Sequence, residues 1–196
     1  MSQRHSDDAL LDAARACVAE RGIARTTVSD VARRAGASRM TVYRTFPDAA
    51  TLWSQLLTRE VGAVVADAQA AAASLPTARQ RLIEATTRAV ITLRHDPVIR
   101  RVLELDSERL LPYLTVRRGH AQEIALAAVR AHLAAGRRDG SIREVEDDAA
   151  PRLLELVVRS LVAASPALVD DDLAPAIDAE LRLMLDSWLR PAEPAQ

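Results

Sequence analysis

Residues 39–45 (RMTVYRT) concentrate side chains that hydrogen-bond to anions and to base edges. The segment holds two arginines, two threonines and a tyrosine, and it contains no acidic residue. A guanidinium group can donate two parallel hydrogen bonds to a guanine edge, and threonine can contact a base or a thymine methyl group. Hydroxyl groups can donate hydrogen bonds to phosphate oxygens. A purely structural surface helix would instead carry Glu, Lys, Ala and Gln. The composition therefore favours a nucleic-acid contact.

Residues 27–46 have the pattern of two short helices joined by a glycine turn. The first half repeats apolar residues at helical spacing: Val28, Val31, Ala32 and Ala35. Thr27 is placed to cap this helix, with Asp30 in the capping-box position three residues later. Gly36 can adopt the left-handed conformation that ends the helix, and Ser38 can cap the next one. A helix, a short glycine-containing turn and a second helix form the helix-turn-helix pattern.

The second helix of this pattern divides into an inner and an outer face. Val42 and Phe46 lie four residues apart and are expected to point to the core. The outer face is then left with the hydrogen-bonding side chains and one methionine: Arg39, Met40, Thr41, Tyr43, Arg44 and Thr45.

Composition limits the class of protein. The 196 residues are rich in aliphatic side chains but hold only five aromatic ones, which is typical of packed helices. Every basic residue is arginine. The net charge of −1 argues against an indiscriminate polyanion binder, although residues 139–196 carry five arginines against thirteen acids. This acidic end should lie far from a nucleic acid. Cys17 is predicted to be a core residue, and with no signal peptide or long apolar run we expect a cytoplasmic protein without a membrane segment.

The remaining pattern predicts an all-α protein of about nine helices. A helix begins after Ser6, a long helix runs over 48–68, and further helices follow to residue 135. The helix after Pro151 is apolar on almost every side, so it must be buried on most sides; Pro166 is expected to end it. The last helix covers about 173–189. We expect a helix-turn-helix domain over residues 1–47 and a larger helical domain over 48–196.

The N-terminal quarter of the chain resembles the TetR family of bacterial transcriptional regulators. The matching residues are Gly22, Thr26-Thr27-Val28, Val31-Ala32, Ala35-Gly36-Ala37-Ser38, Thr41-Val42-Tyr43-Arg44, Phe46-Pro47 and Leu52. The turn Asp139–Arg143 before the final two helices is a weaker likeness. The resemblance implies a regulator that binds a palindromic double-stranded operator as a homodimer and responds to a small-molecule effector.

The resemblance also implies roles for single residues at the DNA. Thr27, Ser38 and Tyr43 would contact phosphate, Arg39 and Thr41 would read bases, and Arg44 would do either. Met40 and Thr45 stand where the family varies. The family usually has Lys after the Pro-x pair that opens the fourth helix, whereas this chain has Ala49. The loss of that phosphate contact lowers the expected salt dependence of binding.

The larger domain is expected to hold the effector and the dimer interface. Its aliphatic, aromatic-poor composition indicates an apolar ligand such as an acyl compound. Tyr113 and His120 are polar residues among apolar neighbours and are candidates to hydrogen-bond a ligand, although a surface or interhelical partner is the commoner role. The resemblance adds Leu103, Leu110 and Ile124 to the candidate pocket; by themselves they are expected core residues. By the resemblance, the last two helices of each subunit form a four-helix bundle, with candidate interface residues Leu154, Val158, Leu161, Leu181, Leu185 and Trp188.

Two other classes of function remain to be weighed. No spacing typical of a catalytic elbow, a metal-binding helix or a cofactor loop is found, and the four histidines are scattered, so we expect neither an enzyme nor a cofactor or metal. A helical protein-interaction adaptor without ligand response would leave the character of residues 39–45 unexplained. Binding to duplex DNA separates this alternative from a transcriptional regulator.

Overall fold

The structure, a computed structural model, describes residues 7–105, 119–169 and 172–192, with residues 165–168 described by their backbone alone. The described residues form nine helices and no strand, which confirms the all-α prediction. The helices are α1 (Asp7–Arg21), α2 (Val28–Arg34), α3 (Arg39–Thr45), α4 (Ala49–Ala72), α5 (Ala78–His95), α6 (Pro97–Leu105), α7 (His120–Arg138), α8 (Ala149–Leu168) and α9 (Ala174–Leu189). Over these ranges, no helix has both the length and the apolar character that a membrane span requires.

The chain divides into two compact units. The first comprises the described residues of 1–60 and 95–120, and the second those of 61–94 and 121–196, so the division falls within α4. The first unit extends beyond the predicted domain 1–47 because the start of α4 and α6 pack into the same core as α1–α3. A three-helix unit is too small to bury a sufficient core by itself, and these additions enlarge it. The predicted functional division at residue 47 stays a prediction.

The core of the first unit is aliphatic around two large aromatic side chains, Phe46 and Trp53. Phe46 is 1% exposed. It belongs to a buried cluster drawn from α1, α2, α3, the start of α4 and α6: Leu10, Leu11, Ala13, Ala14, Val18, Val28, Val31, Ala32, Val42, Phe46, Leu52, Trp53, Leu56, Val98 and Val102. Cys17 is also buried, as predicted.

The turn at residues 139–143 holds the start of α5 in the second unit. Asp139 Oδ2 accepts a hydrogen bond from the Ala78 N–H at 2.9 Å, and Ser141 Oγ accepts one from the Arg79 N–H at 3.1 Å. These two N–H groups belong to the first turn of a helix, where no backbone partner is available. Gly140 has a φ of 71°, which favours glycine at the centre of this turn. The turn thus caps a helix about sixty residues earlier in the chain.

Ile142 follows this turn into the core and packs closely against Gly136 of α7. A Cβ atom added at position 136 would lie 2.8 Å from Ile142 Cβ and closer still to Cγ1 and Cδ1. The contact leaves no room for a side chain at this position.

We expect Gly136→Ala to destabilise the protein by about 1 kcal/mol. Overpacking the core costs about 1–3 kcal/mol, and the higher helix propensity of alanine relative to glycine offsets about 1 kcal/mol of that cost. Urea unfolding followed by circular dichroism measures this change. Gly62→Ala in α4 is the matched control, since its added Cβ would meet only Ile124 Cδ1 at 3.6 Å, an ordinary contact. The control should be neutral or stabilising. Equal effects of the two substitutions would contradict the close packing at Gly136.

A buried ion pair joins α5 to α9 in the second unit. Arg94 is 9% exposed, and its Nη2 donates to Asp178 Oδ1. The Nε and Nη1 atoms of Arg94 are buried and have no hydrogen-bond partner within the described part of the chain. Asp178 is therefore the carboxylate on which this buried guanidinium depends.

The residues of α8 and α9 that were predicted to form the dimer interface are buried or half-buried within the subunit. Leu154, Leu181 and Leu185 are 1%, 4% and 1% exposed, inside the core of their own unit. Three further candidates are half-buried and pack against that core: Val158, Leu161 and Trp188. A side chain already buried in its own unit has little surface left to bury against a partner. The same two helices expose a different set, which we name the apolar stripe: Leu153, Leu156, Leu183 and Met184.

Candidate nucleic-acid interface

The turn between α2 and α3 is built as the sequence predicts. Gly36 has a φ of 65°, and the Ala37 N–H donates to the Ala32 carbonyl at 2.9 Å, which closes the end of α2. Ser38 is the N-cap of α3, and its Oγ accepts from the Thr41 N–H at 3.0 Å. Local hydrogen bonds therefore fix where α3 begins.

The two faces of α3 are those predicted. Val42 is fully buried, and together with Phe46 it anchors α3 to the core of the first unit. Met40 is 76% exposed and Tyr43 is 38% exposed. Arg39 and Arg44 are exposed as well, whereas Thr41 and Thr45 are half-buried. The hydrogen-bonding side chains of the segment thus share the outer side of the helix.

The arginines of α3 differ in charge environment from most of their neighbours. Most described arginines of the first unit pair with a carboxylate: Arg15, Arg21, Arg33, Arg34, Arg59, Arg100 and Arg101. Arg39 and Arg44 make no ion pair with any residue that the structure describes, and neither does Arg25 in the turn before α2. Their full set of donors is available to a phosphate or a base edge.

Three of the hydroxyl groups predicted at the interface already make hydrogen bonds within α3 or its N-cap. Ser38 Oγ and Thr41 Oγ1 lie 2.9 Å apart and share a hydrogen bond, in which either can donate. Thr45 Oγ1 donates to the Thr41 carbonyl at 3.5 Å, a weak contact. A base or phosphate that binds Ser38 or Thr41 must share or replace the bond between them.

The N-terminus of α2 carries the predicted capping box. Thr27 Oγ1 accepts from the Asp30 N–H at 3.2 Å, and Asp30 Oδ2 accepts from the Thr27 N–H at 3.0 Å. The Thr27 hydroxyl also donates to Asp30 Oδ2 at 2.6 Å. These bonds from Thr27, with a smaller effect of Arg21 and Arg33, lower the pKa of Asp30 from 3.8 to about 2. Asp30 is therefore a carboxylate at neutral pH, beside a hydroxyl that is predicted to contact phosphate.

The depressed pKa of Asp30 predicts a pH dependence of stability. A carboxylate with a lower pKa in the folded chain stabilises the fold above its unfolded value near 3.8, and this contribution is lost as the pH falls towards 2. We therefore expect Asp30→Asn to reduce stability at pH 7 and to show a shallower loss of stability between pH 4 and pH 2 than the original chain. Urea unfolding midpoints across this range test the difference. Parallel curves for the two proteins would show that Asp30 is not the group responsible.

The sequence pattern does not indicate Arg25 as a DNA-contacting residue. Like Arg39 and Arg44, however, it is exposed and makes no ion pair with a described residue. A basic residue two positions before a predicted N-cap was the available signal. Because residues 24–27 have no helical or strand periodicity, the sequence does not distinguish Arg25 from an ordinary charged loop residue.

The predicted effector residues are only partly described. Leu103 is half-buried on α6, His120 is exposed at the start of α7, and Ile124 is 37% exposed. Leu110 and Tyr113 lie outside the described residues. The pocket assignments stay predictions.

Comparisons with known proteins agree with the geometry of α2 and α3. Residues 10–53 match the family model of bacterial regulatory proteins of the tetR family. An HTH-type transcriptional regulator of Mycobacterium bovis is 30% identical over 181 residues, which cover 92% of each chain.

Two solved structures extend the likeness to nearly the whole chain. The first, from a study of how bacterial hormones control antibiotic production, is 26% identical with a TM-score of 0.68, and the match covers 94% of this chain and 97% of that one. FadR of Bacillus subtilis, solved in complex with stearoyl-CoA, is 19% identical with a TM-score of 0.68 over 93% of this chain and 99% of that one; at this identity it supports the fold alone. With the matching helix-turn-helix and the relative that spans almost its full length, this chain belongs to the TetR family of bacterial transcriptional regulators.

Proposed function

We propose that the protein is a homodimeric repressor that binds a palindromic operator through α3 and leaves it when a small apolar ligand binds the larger predicted domain, residues 48–196. The observation that carries the DNA-binding part is the outer face of α3, where Arg39 and Arg44 are exposed without a carboxylate partner among the described residues. We propose base contacts for Arg39 and Thr41, phosphate contacts for Thr27, Ser38 and Tyr43, and either for Arg44, with Met40 and Thr45 beside them.

The homodimer is supported by the apolar stripe on α8 and α9. Its four large side chains are each about half exposed, between 45% and 59%. Large apolar side chains left exposed close together in sequence on each of two helices are typical of an interaction site, and a second copy of the chain offers an identical set for a two-fold contact. We therefore propose the stripe as the centre of the interface in place of Leu154, Leu181 and Leu185. Val158, Leu161 and Trp188 would lie at its edge.

Dimerisation would also explain how a small DNA-binding unit of three helices can be specific for one DNA sequence. A single three-helix DNA-binding unit makes a small interface with DNA. Two such units in a rigid dimer bind well only where two half-sites lie at a fixed spacing. Successive major grooves on one side of B-form DNA lie about 34–36 Å apart, so the two α3 helices of the dimer must match that distance.

The effector is proposed to act through α4. This helix is continuous from Ala49 to Ala72; Leu52 and Leu56 belong to the core that holds α3, while Ala68 and Ala72 belong to a cluster in the second unit. A ligand that favours a different tilt of α4 would change the spacing of the two readers. It can do so only if it binds the two states with different affinity.

An acyl compound is the ligand class that we propose. The described core of the second unit is mainly aliphatic, and FadR of Bacillus subtilis, which has a similar fold, was solved in complex with stearoyl-CoA. Which residues of the larger domain contact the ligand stays a prediction from the sequence.

Selection of bound sequences from a random duplex pool tests the DNA-binding proposal with the full chain. We expect enrichment of an inverted repeat whose half-site centres lie about one helical turn apart. Enrichment of a single half-site would contradict the dimer, and no enrichment at low salt would favour the protein-interaction adaptor. With the selected duplex in hand, fluorescence anisotropy with acyl-CoA esters of increasing chain length tests the ligand: release should strengthen with length, and no release by any of them would remove the acyl proposal.

A further inference from the structure

The turn between α1 and α2 holds Arg25 in a fixed position. Gly22 has a φ of 78°, and the buried Thr26 hydroxyl donates to the Gly22 carbonyl at 2.6 Å. The Thr26 N–H donates to the Ile23 carbonyl at 3.2 Å. Thr26 is 6% exposed and points inward, while Arg25 and Thr27 on either side of it are exposed. The backbone on which Arg25 stands is therefore ordered, and its side chain lies on the exposed side of the turn that leads into α2.

The charge of Arg25 is not neutralised within the described part of the chain. Nearby arginines are paired, with Arg34 Nη1 at 2.5 Å from Glu20 Oε1 and Arg21 Nη1 at 3.8 Å from Asp30 Oδ1. Arg25 makes no such pair with a described residue. An unpaired guanidinium on an ordered backbone keeps its donors available for a phosphate and loses less freedom when it binds one.

The phosphate contact expected from Thr27 is chemically weak in this conformation. Its single hydroxyl proton is donated to Asp30 Oδ2 at 2.6 Å, and that carboxylate repels a phosphate. Ala49 removes the lysine that often serves the backbone at the start of α4. Of the expected phosphate contacts, the one from Thr27 is therefore weakened and the one at position 49 is missing its cation.

We propose that Arg25 is a phosphate-contacting residue of the DNA interface and that it compensates for the engaged Thr27 hydroxyl and for the lysine that is absent at Ala49. This proposal rests on the proposed operator binding, and each subunit of the dimer would contribute one such contact. Because a phosphate is present at every step of the duplex, Arg25 would strengthen binding to any sequence and carry no base preference.

Salt dependence distinguishes this role from a structural one. Each phosphate neutralised contributes about 0.9 to the slope of log K against log salt, so loss of Arg25 from both subunits should reduce the slope by about 1.8. We expect Arg25→Ala to bind both the selected duplex and a random duplex more weakly, by similar factors. Its deficit relative to the original chain should shrink about tenfold between 50 mM and 200 mM salt, as that slope requires. Arg25→Lys should restore the slope.

Arg138→Ala is the matched control, since Arg138 is exposed on α7 and makes no ion pair with a described residue. It should keep the original slope. If the original chain binds no duplex, the proposed function fails. If it binds while Arg25→Ala keeps its affinity and slope, only the role of Arg25 fails. Loss of discrimination between selected and random duplex would make Arg25 a base reader and overturn the proposal, and failure of Arg25→Lys to restore the slope in a folded protein would do the same.

Discussion

The double substitution Leu156→Glu/Leu183→Glu is expected to convert the protein into a monomer and to weaken its binding to the selected duplex by about a thousandfold. Both leucines are more than half exposed, on α8 and α9. In the proposed dimer each would be buried against the partner, where an unpaired carboxylate is strongly unfavourable. A monomer presents one α3 to one half-site, so its affinity falls towards that of non-specific binding, which is typically 10³-fold or more below specific binding.

Sedimentation equilibrium measures the first effect and anisotropy titration the second. Ala127→Glu/Ala131→Glu is a matched control, because both alanines are exposed on α7 and the substitution adds the same charge. The control should stay dimeric and lose only the small affinity that added negative charge removes. A leucine variant that remains a dimer and binds the operator as the original chain does would exclude the apolar stripe as the interface.

Asp178→Ala is expected to cost about 3 kcal/mol of unfolding free energy, because it leaves the Arg94 guanidinium buried without its carboxylate. This magnitude is at the lower end for a broken buried pair, since the Asp178 side chain is 17% exposed and water can reach it. Urea unfolding at pH 7 measures the loss.

Two further variants separate charge burial from other causes. Arg94→Met/Asp178→Leu removes both charges, and it should recover most of the stability, because apolar side chains can replace a buried pair at little cost. Glu104→Ala breaks pairs with Arg100 and Arg101 whose side chains are 56% and 39% exposed, and it should change stability by less than about 1 kcal/mol. If Asp178→Ala were as mild as Glu104→Ala, Arg94 would not depend on its partner.

The elements that were predicted well depend on contacts between near neighbours in sequence. The capping box of Thr27 and Asp30, the Ser38 cap and the left-handed Gly36 each involve residues at most three positions apart, so spacing alone specifies them. The burial of Val42 and Phe46 follows in the same way, because their helix has a single apolar face.

The composition of α8 does not indicate which side of the helix is buried within the subunit. Leu153, Leu154, Leu156 and Val157 follow one another so closely that helical spacing allows several buried sides. The side of α8 that is buried is determined by its packing against α9 and α5. These contacts join residues far apart in the sequence, so the spacing of residues within α8 does not predict them. The prediction that Pro166 ends this helix was wrong, since α8 continues to Leu168. Proline removes one hydrogen bond, and near the end of a helix that loss can be tolerated.

The cap that residues 139–143 place on α5 restricts where the chain can be extended or cut. Exposed polar loops are the usual choice for inserting a fluorophore peptide or an affinity tag, and Asp139 and Gly140 fit that description. An insertion there would separate Asp139 and Ser141 from the N–H groups of Ala78 and Arg79. The exposed residues Ala73 and Ser74, between α4 and α5, are a safer position for such a label.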